Sequence, residues 1–168
     1  MSYFYENKFV QIIIACLIPF IGGFIVGFYS QKNMHPWYET LRQPSWWNPP
    51  RGLFGVVWSI LYVLMGYASY RVWENGSGFS GAAKIPLIIY GITLFINWTW
   101  PLVFFTFHLI GFATIHLIVL LGFIIATCIA FMGVDQIAGF LYIPYILWIT
   151  LATTITFSTW RLNLHEKR

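Results

Sequence analysis

Charged residues fall at wide intervals along this chain and leave long apolar windows between them. Lys8 and Lys32 bracket 23 residues without charge, Arg51 and Arg71 bracket 19, Lys84 and Asp135 bracket 50, and Asp135 and Arg161 bracket 25. A helix crosses the hydrocarbon layer of a bilayer with about 20 residues. Three windows therefore hold one span each, and the fifty-residue window holds two. The pattern predicts an all-α polytopic membrane protein, a bundle of five transmembrane helices near residues 9–29, 52–70, 85–107, 109–132 and 139–160, forming one domain over residues 1–168. The apolar runs are continuous rather than alternating, which selects helices over a barrel. The break in the long window is expected near His108 and Gly111. Pro36, Pro44, Pro49 and Pro50 gather in a first loop near residues 30–51, the one sizeable segment expected outside the membrane.

Composition narrows the class further. Hydrophobic residues make up 59% of the chain and charged ones 8%, where soluble domains carry about 25% charge. That excludes a water-soluble globule, and the scarcity of charge also excludes disorder. Two cysteines cannot staple a disulfide scaffold. The first span is read as a retained helix, because its apolar stretch exceeds that of a cleaved leader. Five crossings place Lys8, Arg71 and Lys84 on one side and Lys32, Arg42, Arg51, Arg161, Lys167 and Arg168 on the other. The positive-inside rule then puts the first loop and the C-terminus in the cytoplasm. The net charge of +4 comes from residues that flank helices, not from a basic stripe, so nucleic acid is not an expected partner.

The chemistry available inside the membrane is aromatic. Of the acidic residues, none lies in a predicted span, so a carboxylate relay or cation path has nothing to use. His108 and His116 stand alone and read as neutral, hydrogen-bonded side chains; Cys16 and Cys128 read as small core residues. No metal, cofactor or catalytic triad is expected. Among nine tryptophans, Trp37, Trp46, Trp47, Trp73 and Trp160 fall near span ends and read as interfacial belt residues. Trp58, Trp100 and Trp148 lie deeper, where an indole N–H needs an acceptor from protein or ligand. Asn97, Trp100, Pro101, Phe104 and His108 share one helical stripe, as do Trp58, Tyr62, Met65 and Gly66, and again Trp148, Ala152, Ile155 and Thr159. Three aromatic stripes with few polar atoms suit a flat hydrophobic ligand better than an ion. Gly23 with Gly27, and Gly122, Ala126 and Ala130, form small-residue ladders that allow close helix packing, within the bundle or in a homodimer.

The runs WYETLRQPSWWNPP (Trp37 to Pro50), VVWSILYVLMGYASYRVW (Val56 to Trp73), NWTWPLVFF (Asn97 to Phe105) and YILWITLATTITFSTWR (Tyr145 to Arg161) closely resemble the translocator protein family, also described as tryptophan-rich sensory proteins or peripheral benzodiazepine receptors. The resemblance implies a five-helix receptor or carrier that binds cholesterol, porphyrins and benzodiazepine-type ligands in a cavity capped by the first loop, with a part in sterol or tetrapyrrole transport. It also implies a mitochondrial outer-membrane location with a cytosolic C-terminus. Matched motif to motif, the ligand cavity falls on Gly27, Phe54, Gly55, Val57, Trp58, Tyr62, Asn97, Trp100, Phe112, Ile115, Val119, Trp148, Ala152 and Ile155. The family's sterol motif falls on Ile155, Phe157 and Arg161, with Phe157 where the usual pattern has tyrosine. For a porphyrin, Arg42 and Arg51 are placed to meet the carboxylates at the cavity mouth. The competing reading, implied by some bacterial members, is a light-dependent protoporphyrin-degrading enzyme with Trp58 and Trp148 as carriers.

Overall fold

The computed structural model describes residues 7–34, 37–47 and 52–164. The helices, in chain order, are α1 (Lys8–Met34), α2 (Trp37–Thr40), α3 (Leu53–Asn75), α4 (Lys84–Pro101), α5 (Ile110–Met132), α6 (Gln136–Phe140) and α7 (Ile143–Asn163). Among the described residues five stretches are long and apolar enough to cross a membrane: α1, α3, α4 with the π-helical turn Leu102–Thr106 that continues it, α5, and α6 with α7. Around the bundle the order is α1, α3, α7, α5, α4, closing back on α1. The α3/α7 seam is made by side chains, chiefly aromatic rings, and its backbones stay further apart than those of the other neighbours.

Helix α1 presents most of its surface outward and docks through a few small residues. A Cβ at Gly22 would run into the Trp98 ring, one at Gly23 into the Tyr62 ring, and one at Gly66 into the backbone of Ala15 and Cys16. Close approach of α1 and α3 thus requires the hydrogen side chain of Gly66. The Cys16 thiol reaches the Val63 carbonyl at 3.6 Å, and the Trp98 indole donates to the Pro19 carbonyl at 3.3 Å. Gly23 is therefore used inside the chain, whereas Gly27 and Gly122 face open space.

Several polar side chains in the interior are paired across helices, since hydrocarbon offers them nothing. The Thr93 and Thr127 hydroxyls meet at 2.8 Å between α4 and α5, and His116 Nε2 bonds the Ile96 carbonyl at 2.8 Å. At the end opposite the first loop, Asp135 caps α6 by accepting from the Ala138 N–H at 2.8 Å. The same carboxylate accepts two bonds from Arg71, at 2.8 and 3.1 Å, and one from Asn75. This explains why α3 runs five residues beyond the predicted end at 70: its terminal charges have partners there, with Glu74 bridged to Lys8 of α1.

The third crossing ends in a way that helical spacing does not predict. Pro101 lacks the N–H that would bond the Asn97 carbonyl, and the helix widens into the turn Leu102–Thr106, with Phe107 N–H bonding Leu102 at 2.9 Å. His108 then adopts φ 58° and reverses the chain toward α5. The expected break is where the sequence placed it, but the wider turn carries His108 off the stripe of Asn97 and Trp100 and leaves it exposed.

Candidate functional site

A hydrogen-bonded centre joins three crossings at mid-bundle. The Tyr62 hydroxyl of α3 donates to Asn97 Oδ1 of α4 at 3.2 Å, and Asn97 Nδ2 donates to the Tyr145 hydroxyl of α7. Asn97 is 3% exposed, so each of these bonds replaces one that water cannot make. Asn97→Leu leaves two buried hydroxyls short of a partner and is expected to cost about 2 kcal/mol. Detergent-denaturation midpoints measure this, and a midpoint equal to wild type would remove the centre from the account.

Rings surround this centre. Trp58 lies 5.4 Å from Tyr62 and 6.2 Å from Tyr145, and Trp148 meets Phe54 at 5.7 Å. Phe54 in turn meets Trp47 of the first loop at 6.1 Å, so a row of rings runs from the loop into the α3/α7 seam. Beside the seam an open groove of about 330 Å³ is lined by Val57, Ile60, Leu61, Pro144, Leu147, Trp148 and Leu151. Its walls are almost wholly apolar. Trp58 and Trp148 have no hydrogen-bond acceptor among the described residues, and the Trp47 indole N–H is buried without one. Trp100 differs, because its N–H bonds the Ala113 carbonyl at 3.3 Å and its ring stacks on Phe104.

The first loop folds over this end of the bundle. Trp37 of α2 stacks on His108 with centroids 3.9 Å apart and leans on Phe104, and Tyr38 packs against Phe104 and Phe105. Asn163, at the end of α7, exchanges two bonds with the Arg42 backbone, at 2.9 and 3.1 Å. The first loop and the end of α7 therefore lie on one side of the bundle, as five crossings require. The Arg42 side chain is exposed at this rim; Arg51 lies outside the described residues.

The structure brings Phe54, Val57, Trp58, Tyr62, Asn97 and Trp148 together at the seam, with Ala152 and the buried Ile155 further along the inner face of α7. Gly55 and Gly27 are exposed, and a Cβ on either meets nothing. Phe112, Ile115 and Val119 are not brought to the seam. They line the outer face of α5, about half exposed, while Ala113, Leu117, Leu120 and Ile124 point inward. The signal that could have found the inward face is the polar set Thr114, His116 and Thr127, which turns to the interior, whereas the apolar residues between them differ little from one side to the other. Nor do Ile155, Phe157 and Arg161 form one surface. Residues two apart on a helix point nearly opposite ways, so Ile155 is buried while Phe157 and Arg161 face out. Tyr145 and Trp47 were missed. The first looks like any other tyrosine near a span end, and the second like an interfacial tryptophan.

Comparison with known proteins bears on the same geometry. The model of the TspO/MBR family matches residues 15–161. The human translocator protein is 37% identical over 147 residues, 88% of this chain and 86% of its own. The tryptophan-rich sensory protein of Cereibacter sphaeroides is 36% identical over 156 residues, 92% of this chain and 90% of its own. Protein CrtK of Rhodobacter capsulatus is 37% identical over 132 residues, 78% and 81% of the two chains. With five membrane crossings and a match that runs from within α1 almost to the end of α7, this chain belongs to the TspO/MBR family.

Proposed function

We propose that the chain is a membrane receptor or carrier for flat hydrophobic molecules, namely cholesterol or a related sterol and porphyrins, with benzodiazepine-type compounds entering the same seam, and that it serves sterol or tetrapyrrole transport. The observation that carries this reading is the row Trp47, Phe54 and Trp148 beside an apolar groove, with the indole N–H of Trp47 buried and without an acceptor among the described residues. Apolar burial at roughly 25 cal/mol per Å² supplies affinity, and indole donors orient a ligand that carries oxygen at its edge. The first loop acts as the cap. The names of the human and Cereibacter sphaeroides relatives, translocator and sensory protein, accord with a ligand-binding role. The location that accords with the family resemblance of the sequence motifs is the mitochondrial outer membrane, and the charge asymmetry supports a cytosolic first loop and C-terminus. Exposed Gly122 and Ala126 on α5 would let a second copy of the chain approach closely.

Titration of the purified chain with protoporphyrin and with cholesterol tests the assignment. Trp148→Leu is expected to weaken both about tenfold, from lost ring contact and one lost donor. Arg42→Ala with Arg51→Ala should weaken porphyrin far more than sterol, because only porphyrin brings carboxylates; equal loss would count against a porphyrin mouth at this rim. Trp58 in contact with Tyr62 and close to Tyr145 favours the second reading, a light-dependent protoporphyrin-degrading enzyme. Illumination separates the two. A bound porphyrin spectrum that persists supports the carrier, and bleaching that requires Trp58 or Trp148 supports the enzyme.

A further inference from the structure

The opposite end of the bundle carries an aromatic corner that the seam does not use. Past the end of α3, Ser77 and Gly78 take φ 58° and 56° in succession and turn the chain back over Trp73. The Gly78 backbone lies so close to the indole that even a Cβ would stand 3.0 Å from Trp73 Cζ2. This turn sets Phe79 against Trp73, centroids 5.2 Å apart and planes at 84°. Two ring faces at a right angle form two walls, and both rings remain open, Trp73 at 43% and Phe79 at 56% exposure. Beside them is a groove of about 360 Å³ lined by Trp73, Glu74, Ser77, Gly78, Phe79 and Ser80.

Charge completes the corner. Glu74 borders the groove, and its carboxylate is bridged to the ammonium of Lys8, whose side chain is 74% exposed. A negative and a positive group thus stand side by side next to two ring faces. Lys8 opens α1, Asn75 closes α3 and Lys84 opens α4, so the groove lies where the helices leave the hydrocarbon, at the depth of phospholipid headgroups.

We propose that this corner binds the phosphocholine headgroup of a bilayer lipid. The quaternary ammonium rests against the faces of Trp73 and Phe79 with Glu74 opposite, and the lipid phosphate lies toward Lys8. A trimethylammonium group is a large cation without N–H donors, which ring faces and a carboxylate recognise well. The zwitterion also matches the order of the Glu74–Lys8 pair. An anionic glycerol headgroup offers no cation to the rings and sets its phosphate near Glu74, and a primary ammonium fills the corner less completely.

The test is native mass spectrometry of the full chain in detergent, titrated with diheptanoyl phosphatidylcholine, phosphatidylethanolamine or phosphatidylglycerol, and with glycerophosphocholine as the headgroup without chains. Wild type is expected to retain the choline lipid about fivefold better than the other two. Phe79→Leu and Glu74→Gln should each remove most of that preference, while Trp73→Phe, which keeps a ring face, should retain part of it. Phe79 is exposed, so its loss leaves the helices intact, and circular dichroism of each variant checks this. Equal retention of the three lipids by wild type, or a preference untouched in Phe79→Leu, overturns the proposal. Glycerophosphocholine binding as tightly as the lipid overturns it as well, since the corner would then serve a soluble ligand.

Discussion

Gly66→Leu is expected to detach α1 from the bundle and to lower stability by about 3 kcal/mol or more. Forcing side-chain atoms into a filled interface costs about 1–3 kcal/mol where neighbours can yield. Here the neighbours are the Cys16 Cα and the Ala15 carbonyl, backbone atoms of a helix that cannot shift singly. Even Gly66→Ala should be measurably destabilising, although alanine is intrinsically the better helix former by nearly 1 kcal/mol. Gly122→Ala is the control. It faces open space on α5 and is expected to leave stability unchanged or slightly raised. Detergent-denaturation midpoints give the ranking, and alkylation of Cys16 gives the location, because its thiol rests on the Val63 carbonyl across the same contact. Unchanged alkylation in Gly66→Leu would show that α1 is held by something else. The effect is large because α1 buries little of itself. Its close approach rests on Gly66, Gly22 and Gly23, and the polar contacts that accompany it are few: Trp98 with Pro19, Cys16 with Val63, Asn33 with Thr106 and Lys8 with Glu74.

Asp135→Ala is expected to cost about 3 kcal/mol, at the lower end for a broken buried pair because Arg71 keeps some access to water. Four donor contacts converge on this carboxylate, from Arg71 twice, Asn75 and the Ala138 N–H, and they tie α3 to the turn between α5 and α6. Arg71→Ala should cost nearly as much, and the double variant clearly less than the sum, since each single change strands the other partner. The pair also predicts a pH response. Arg71 is the main cause holding the Asp135 carboxyl below its ordinary value; the Ala138 N–H and Asn75 reinforce it and burial opposes it. An unfolded aspartate titrates near 3.9. A depressed folded value means that the stabilisation is complete above about pH 4 and disappears as pH falls through the folded value. Wild type should therefore lose more stability between pH 5 and strongly acid conditions than Asp135→Asn does, as unfolding midpoints across that range will report. Parallel curves would separate Asp135 from the acid sensitivity.

Much of the architecture was legible before any coordinate. Excluding charge from hydrocarbon is a local requirement, and Lys8, Arg51, Lys84, Asp135 and Arg161 are local marks, so the five crossings and the shared side of the first loop and C-terminus followed from spacing alone. Asn97 was legible for the same reason: an amide in mid-membrane has to face the bundle, and it does, bonded to Tyr62 and Tyr145. What spacing could not supply was rotation and partnership. Phe112, Ile115 and Val119 sit on a helix whose polar residues are few, Thr114, His116 and Thr127, and the packing of α5 on α4 and α7 buries that side and turns the three outward. His108 left its stripe because Pro101 is followed by a wider turn that a constant helical period does not contain. Arg71 and Asp135, 64 residues apart, meet only because α3 and the start of α6 end at one level. Sequence by itself thus determined how often the chain crosses the membrane and which deep polar group must be shielded, since each depends on the cost of a single residue in oil. Tertiary structure decided which rings line the seam, that Trp47 joins them and that α1 is held by glycines, since each depends on surfaces from different helices meeting.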